Sequence, residues 1–236
     1  MTDEQITELS IVEAKSIKKR FAKEAVDELP SDSNSVSVFM AGSPGAGKTE
    51  TARSFIRNVS ANGESELVHI ENDEYRKVFT HYDGQNSPLF QRAATILVEG
   101  VHDRALKKKV SFVLDSTLSS YEKAKQNIER SLRKNRFVMI VFVYQDPEQA
   151  WKLVKAREKV EGRRVPRAVF VEQFLKSQEV VAKLKEEFGD KLYINFIEKN
   201  IDGSSKKPQF NVTDIDKLLS KKYNRESLES IVGIRE

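Results

Sequence analysis

The chain has 236 residues, enough for one sizeable domain, and 32% charged with 39% hydrophobic residues suits an ordered, highly charged globular protein rather than a disordered one. With no cysteine, disulfides and thiolate metal sites are excluded, and three well-separated histidines argue against zinc. The net charge of +4 permits contact with polyanions without demanding it; no apolar run approaches a membrane span and the polar N-terminus matches no signal peptide, so the expected compartment is the cytoplasm.

From residue 4 to about 28, Ile6, Leu9, Val12, Ile17, Phe21, Ala25 and Leu29 recur at roughly helical spacing. This predicts a helical extension over 1–34, expected to pack on the following core rather than to meet a partner. A turn over 29–35 leads into Val36-Ser37-Val38-Phe39-Met40-Ala41, an apolar, β-branched run that reads as a buried strand. Gly42-Ser43-Pro44-Gly45-Ala46-Gly47-Lys48-Thr49 follows and fits G-x-x-x-x-G-K-[ST]. A helical pattern from Thr49 to Val59 leads out. Strand, glycine-rich loop and helix stand in the order a phosphate cradle needs. The glycines let several N–H groups turn into one hollow, and the helix N-terminus adds partial positive charge. Gly42 to Thr49 are the nucleotide-binding candidates; Lys48 reaches the terminal phosphates and the Thr49 hydroxyl meets Mg²⁺.

Leu67 to Ile70 reads as a second strand, followed by Glu71-Asn72-Asp73-Glu74-Tyr75-Arg76. A polar loop over 81–88 precedes a long helix from about Leu89 to Lys107, and Lys107-Lys108-Lys109 reads as its solvated, cationic end. Val110 to Asp115 is a third strand, then a helix runs from about Ser120 to Lys134. Phe137 to Tyr144 is the most apolar run and reads as a central parallel strand. Asp146 caps a helix with Pro147 at its first position and Gly162 stops it. The basic loop Arg163-Arg164-Val165-Pro166-Arg167 opens another helix to about Phe188, and Leu192 to Ile197 is a fifth strand. Asn200 to Pro208 is a turn-rich loop, and within the C-terminal addition, 201–236, the tail from about Thr213 to Ile231 is expected to be helical and charged. The alternation predicts an α/β fold, a P-loop kinase-like parallel sheet with helices on both faces, as one domain whose nucleotide and substrate core spans 35–200.

Phosphoryl transfer needs a cradle, a metal, a group that positions the accepting hydroxyl, and cations for the moving charge. Asp115, at the end of the third strand, is the second candidate for the metal, through a bound water. Asp73 is the candidate base because it follows the second strand directly, with Glu71 and Glu74 as rivals. Strand alternation places Glu71 and Asp73 on one side and Asn72 on the other. Arg157 precedes Arg163 and Arg164 by six and seven residues, a spacing that suits a lid of phosphate-binding forks.

The P-loop followed by Ile70-Glu71-Asn72-Asp73, by Val113-Leu114-Asp115-Ser116-Thr117, and by Arg157-Glu158 with Arg163 to Arg167 resembles the zeta toxin family over roughly residues 36 to 197. Those proteins are kinases of toxin–antitoxin systems that phosphorylate the 3′-hydroxyl of the amino sugar of UDP-N-acetylglucosamine. The resemblance implies ATP or GTP with Mg²⁺ as cofactors, Asp73 as the base, Lys48 and Thr49 on phosphate and metal, and Arg157 and Arg163 around the γ-phosphate. It places Thr117 on the substrate side, where Glu71, Asn72, Glu99 and Arg164 are further candidates, and it leaves open an antitoxin as partner. The family's Glu-Gly-Thr is here Asp115-Ser116-Thr117. Its substrate-binding glutamate has no clean counterpart, Thr95 standing near that place and Glu99 one turn later. Two other readings remain: a P-loop kinase of another small molecule (nucleoside, dinucleotide, antibiotic) or of a nucleic-acid end, and a nucleotide-dependent switch without catalysis. The lack of aromatic-interleaved basic stretches counts against nucleic acid.

Overall fold

A computed structural model describes residues 1–63 and 66–233. The chain opens with α1 (Asp3–Val26), whose N-terminus is closed by a Thr2/Gln5 capping box. Five strands follow: β1 (Val36–Ala41), β2 (Leu67–Glu71), β3 (Ser111–Asp115), β4 (Phe137–Tyr144) and β5 (Tyr193–Glu198). Between them lie α2 (Lys48–Ala61), the short α3 (Asn72–Arg76), α4 (Gln91–Lys108), α5 (Tyr121–Leu132), α6 (Pro147–Glu161) and α7 (Arg167–Phe188); α8 (Arg225–Val232) ends the fold. The strands are all parallel in the order β2-β3-β1-β4-β5.

That order decides where the helices go. The step from β1 to β2 runs one way along the sheet and every later step runs the other way. Right-handed crossovers therefore put α2 on one face and the remaining crossover helices on the opposite face. The core divides accordingly. Val38, Met40, Val113, Met139, Val141 and Val143 pack with Ala52, Phe55 and Ile56 of α2. The alternate residues of the same strands, among them Phe39, Phe112, Ile140 and Phe142, join the larger cluster with α4, α5 and α7.

The N-terminal helix packs on this larger side through Ile6, Ile17, Phe21 and Ala25 of the predicted pattern, with Leu29 just beyond its end, while Leu9 and Val12 are exposed. Ala14, Ala22 and Val26 are buried, Phe21 meets Tyr75 edge-on with ring centroids 4.8 Å apart, and Arg104 Nε of α4 donates to Asp27 Oδ1 at 2.6 Å. At the amino edge of the sheet, buried Arg136 ties three strands together. It donates to Ser37 Oγ at 2.7 Å, to the carbonyl of Val36 at 2.7 Å and to that of Val110 at 2.8 Å.

The C-terminal region departs from the expected helical tail. Among the described residues of this region only a 3-10 turn at Ile215–Lys217 and the eight-residue α8 are helical. Before them the chain doubles back along β5. Phe196 and Gln209 exchange two backbone hydrogen bonds (2.8 and 2.9 Å), Lys206 donates to Glu198, and Val212 donates to Ile194. The turn formers of 200–208 make a loop, as their composition indicates; the helical reading of about 213–231 is interrupted because Asp214 caps a 3-10 turn and Asn224 starts α8 afresh. Among the described residues no helix is long and apolar enough to cross a membrane.

Candidate active site

The strand order reverses direction at β1, so the carboxyl ends of β1, β3 and β4 diverge and leave a crevice where open α/β sheets take ligands. Gly42 enters it with φ 134°, and a Cβ there would lie 2.2 Å from the carbonyl oxygen of Val143 in β4. Gly45, with φ 76°, faces the carbonyl of Ala150 in α6 equally closely. Conformation and space both demand glycine at these two positions. The Gly42 N–H donates to the carbonyl of Thr117 at 3.3 Å, which ties the cradle to the loop after β3.

Lys48 opens α2, and its ammonium donates to the carbonyl of Ser43 at 2.7 Å. Burial pulls its pKa down to about 8; among its charged neighbours Asp115 opposes that shift, Arg163 and Arg157 add to it, and Asp73 opposes it. These four are the residues that the sequence put forward from β3, the lid and the stretch after β2. The charge of each acts on this one ammonium.

Thr49 Oγ1 donates to Asp115 Oδ2 at 2.6 Å. Among the described residues no group of three or more His, Cys, Asp or Glu side chains forms a metal cage. A hydroxyl and a carboxylate beside a phosphate cradle instead fit a cation that keeps most of its water and takes phosphate oxygens as further ligands, which is the habit of Mg²⁺. Behind this pair lies a buried polar cluster. Alternation along β2 turns His69 and Glu71 to the α2 side. Glu71 Oε2 stands 3.2 Å from Arg53 Nη2 and 3.8 Å from His69 Nδ1, and His69 Nε2 stands 3.9 Å from Asp115 Oδ2. Burial, with the Asp115 charge second, pushes the Glu71 carboxyl up to about 7; burial pulls His69 down, against the attraction of Asp115.

Asp73 lies elsewhere than strand alternation placed it. β2 ends at Glu71, and Asn72 already begins α3, so Asp73 sits on the first turn of a helix, where strand alternation no longer applies. Its carboxylate is held between two arginines. Arg163 Nη1 donates to Oδ2, and Arg76 Nη1 approaches Oδ1 at 3.3 Å. Arg163 comes from the turn between α6 and α7. That turn packs against the polar loop after α3: a Cβ at Gly84 would lie 2.7 Å from the carbonyl of Glu161, and one at Gly162 would lie 2.8 Å from Gln85 Cγ.

The other candidates divide. Arg157 makes no hydrogen bond or ion pair among the described residues, yet its charge acts on Lys48. Thr117 Oγ1 contacts Ser119 Oγ at 2.9 Å, and Asn72 Nδ2 donates to Thr95 Oγ1 at 3.5 Å. Glu99 is exposed on α4 and pairs with Lys123 of α5 at 3.5 Å. Arg164 is 77% exposed, 3.9 Å from Glu158, and is not drawn in with Arg163. Arg76, His69 and Arg53 were not singled out from the sequence. His69 was legible as the partner of Glu71 two residues along a strand, and Arg76 as the residue one helical turn beyond Asp73.

The zeta toxin family model matches residues 21–204. No curated protein matches the chain. Among solved structures, the chain is similar to one from the PezAT chromosomal toxin-antitoxin system of Streptococcus pneumoniae, at 16% identity and a TM-score of 0.64, covering 95% of this chain and 89% of that one. It is also similar to the AvrRxo1-ORF1:-ORF2 crystal structure with ATP, at 14% identity and a TM-score of 0.61, covering 91% of this chain and 70% of that one. These likenesses show the fold. The family match extends from within α1, past the cradle, the Asp73 helix and the lid turn, to the loop after β5, and this chain belongs to the zeta toxin family.

Proposed function

We propose that the protein is a kinase that moves the γ-phosphoryl group of ATP to a sugar hydroxyl, most specifically the 3′-hydroxyl of the amino sugar of UDP-N-acetylglucosamine. One observation carries the transfer reading: beside the P-loop, Thr49 bonds Asp115 and the Asp73 carboxylate is paired with Arg163 of the lid turn, with the charges of Asp115, Arg163, Arg157 and Asp73 all acting on the Lys48 ammonium. A switch module needs the cradle alone; an acceptor carboxylate and two lid arginines at its mouth serve a reaction. The family resemblance supplies the acceptor. The two related structures belong to the PezAT toxin-antitoxin system and to AvrRxo1-ORF1:-ORF2, and we extend an antitoxin-type protein partner to this chain.

In this reading the loop N–H groups and Lys48 hold the β- and γ-phosphates. Thr49 and Asp115 would hold Mg²⁺, which when bound supplies charge neutralisation of the phosphate oxygens. Asp73 accepts the hydrogen bond of the acceptor hydroxyl and turns its oxygen toward phosphorus. As the new O–P bond forms, the bond from phosphorus to the bridging oxygen breaks, ADP leaves with the electron pair, and the hydroxyl proton passes to Asp73. Arg163 and Arg157 hold the charge spread over the transferring group.

Glu99 is engaged by Lys123 and Ser116 replaces the family's glycine, so the acceptor side is where another small-molecule hydroxyl would be accommodated. The experiment incubates the protein with γ-labelled ATP and a panel of nucleotide sugars, nucleosides and dinucleotides. Labelled UDP-N-acetylglucosamine, lost in Asp73→Asn with ATP binding retained, is the expected result. Label on a different acceptor would redirect the substrate assignment, and label on none would remove the kinase reading.

A further inference from the structure

A base must be held as well as present. Asp73 sits on a helix of five residues, followed by a polar loop. So short a helix cannot by itself fix the direction of a carboxylate on its first turn. Arg163, which covers Oδ2, belongs to the lid turn, and its side chain is 30% exposed. If that guanidinium turns to the γ-phosphate, something else must keep Asp73 in place.

Arg76 is built for that task. Its side chain is 6% exposed and lies one helical turn beyond Asp73. Nη1 donates to Ser87 Oγ at 2.6 Å and approaches Asp73 Oδ1 at 3.3 Å, while Nη2 donates to Gln91 Oε1. Ser87 stands on the 3-10 turn that leads into α4, and Gln91 is the first residue of α4. Phe90, between them, is 1% exposed and stacks with Phe79, with ring centroids 5.7 Å apart. A planar fork thus links a carboxylate on a five-residue helix to the start of an eighteen-residue helix. Nε is buried with no hydrogen-bond partner. A buried cation with an unsatisfied donor is a costly way to pack two helices, and apolar residues of similar volume serve packing alone at least as well.

We infer that Arg76 is the positioning residue of the reaction: it holds Asp73 by Oδ1 against the start of α4, so that Oδ2 is the oxygen that meets the acceptor hydroxyl and takes its proton. The inference rests on the reading of Asp73 as the acceptor base. It separates the two arginines by role. Arg163 shares its carboxylate oxygen with the substrate in turn, and Arg76 keeps the other oxygen throughout.

The test is a double-mutant cycle on the full chain, with γ-labelled ATP and UDP-N-acetylglucosamine as probes and thermal denaturation of the same preparations. Arg76→Gln should lower kcat by about ten- to a hundredfold while Mg·ATP affinity stays within about twofold, and Arg76→Lys should recover part of the loss. On an Asp73→Asn background, Arg76→Gln should cost less than about threefold, because a residue acting through Asp73 has nothing left to position. Should Arg76→Gln fail to fold, Ser87→Ala with Gln91→Ala loosens the tether while keeping the cation, and kcat should again fall without loss of nucleotide affinity. Unchanged kcat in a folded variant, or the same loss with and without the Asp73 carboxylate, overturns the inference. Near wild-type transfer by Asp73→Asn instead overturns the assignment of Asp73 as the base beneath it, and transfer by the wild type to no acceptor of the panel overturns the kinase reading.

Discussion

Raising the pH should weaken Mg·ATP binding through one group, Lys48. Its ammonium is taken out of water in a cradle that also holds two arginine charges nearby, and its pKa falls from 10.5 to about 8. That drop of roughly 2.5 units corresponds to about 3 kcal/mol disfavouring the charged form. Phosphate oxygens entering the loop favour the ammonium, so the bound enzyme holds the proton more tightly than the free one. Binding therefore takes up a proton above the free-enzyme pKa, and affinity falls as pH rises through it. With a free-enzyme pKa of about 8, the charged fraction is about nine-tenths at pH 7 and about one-tenth at pH 9, so affinity should drop about tenfold between them. Calorimetry in two buffers of different ionisation enthalpy would read both the affinity and the proton count. Lys48→Arg, weaker at all pH values but unable to titrate, should show a flat profile. An equally flat wild-type profile to pH 9, or proton release on binding, would refute the reasoning.

Three other outcomes are expected. Lys48→Ala should fold and lose phosphoryl transfer, since the only cation inside the loop is gone; transfer assay beside circular dichroism checks it, and full activity would remove the loop from the mechanism. Arg157→Gln or Arg163→Gln should lower kcat on the order of a hundredfold with a smaller effect on ATP affinity, because their contacts strengthen as charge develops on the phosphoryl group. A change in KM alone would make them ground-state binders. Arg136→Ala, far from the site, should destabilise the fold by roughly 2–4 kcal/mol by leaving a buried hydroxyl and two strand-end carbonyls without their donor. A urea midpoint shifted by less than about 0.5 kcal/mol in free energy would contradict it.

The motif level of this protein was legible because each signal is local. The glycines of the loop sit where φ is positive, the strands read as apolar runs, and Asp146 and Gly162 bound α6 as their cap chemistry requires. Asp115 at a strand end was legible for the same reason. What escaped was set by tertiary contacts. Strand alternation relates Glu71 to His69 but not to Asp73, because the backbone turns helical one residue after Glu71. Arg76 gave no local sign of its role, since its partners Ser87 and Gln91 lie eleven and fifteen residues away. Arg163 and Arg164 are adjacent and alike in sequence. Only the direction of the turn distinguishes the one that reaches Asp73 from the one left at the surface.

The strip that folds back along β5 carries none of the chemistry, and its antiparallel pairing from Lys206 to Val212 lies beyond the family-matched region. Without it, β5 would present an outer row of unpaired N–H and C=O groups on a strand reading Tyr193-Ile194-Asn195-Phe196-Ile197. Such an aromatic and β-branched edge, with no charge until Glu198, is a template for pairing with another copy of itself. A chain cut just past the matched residues would retain the cradle, the base and the lid, and would be expected to accumulate as insoluble material. By pairing with β5, the strip leaves no such template on this side of the sheet where it lies.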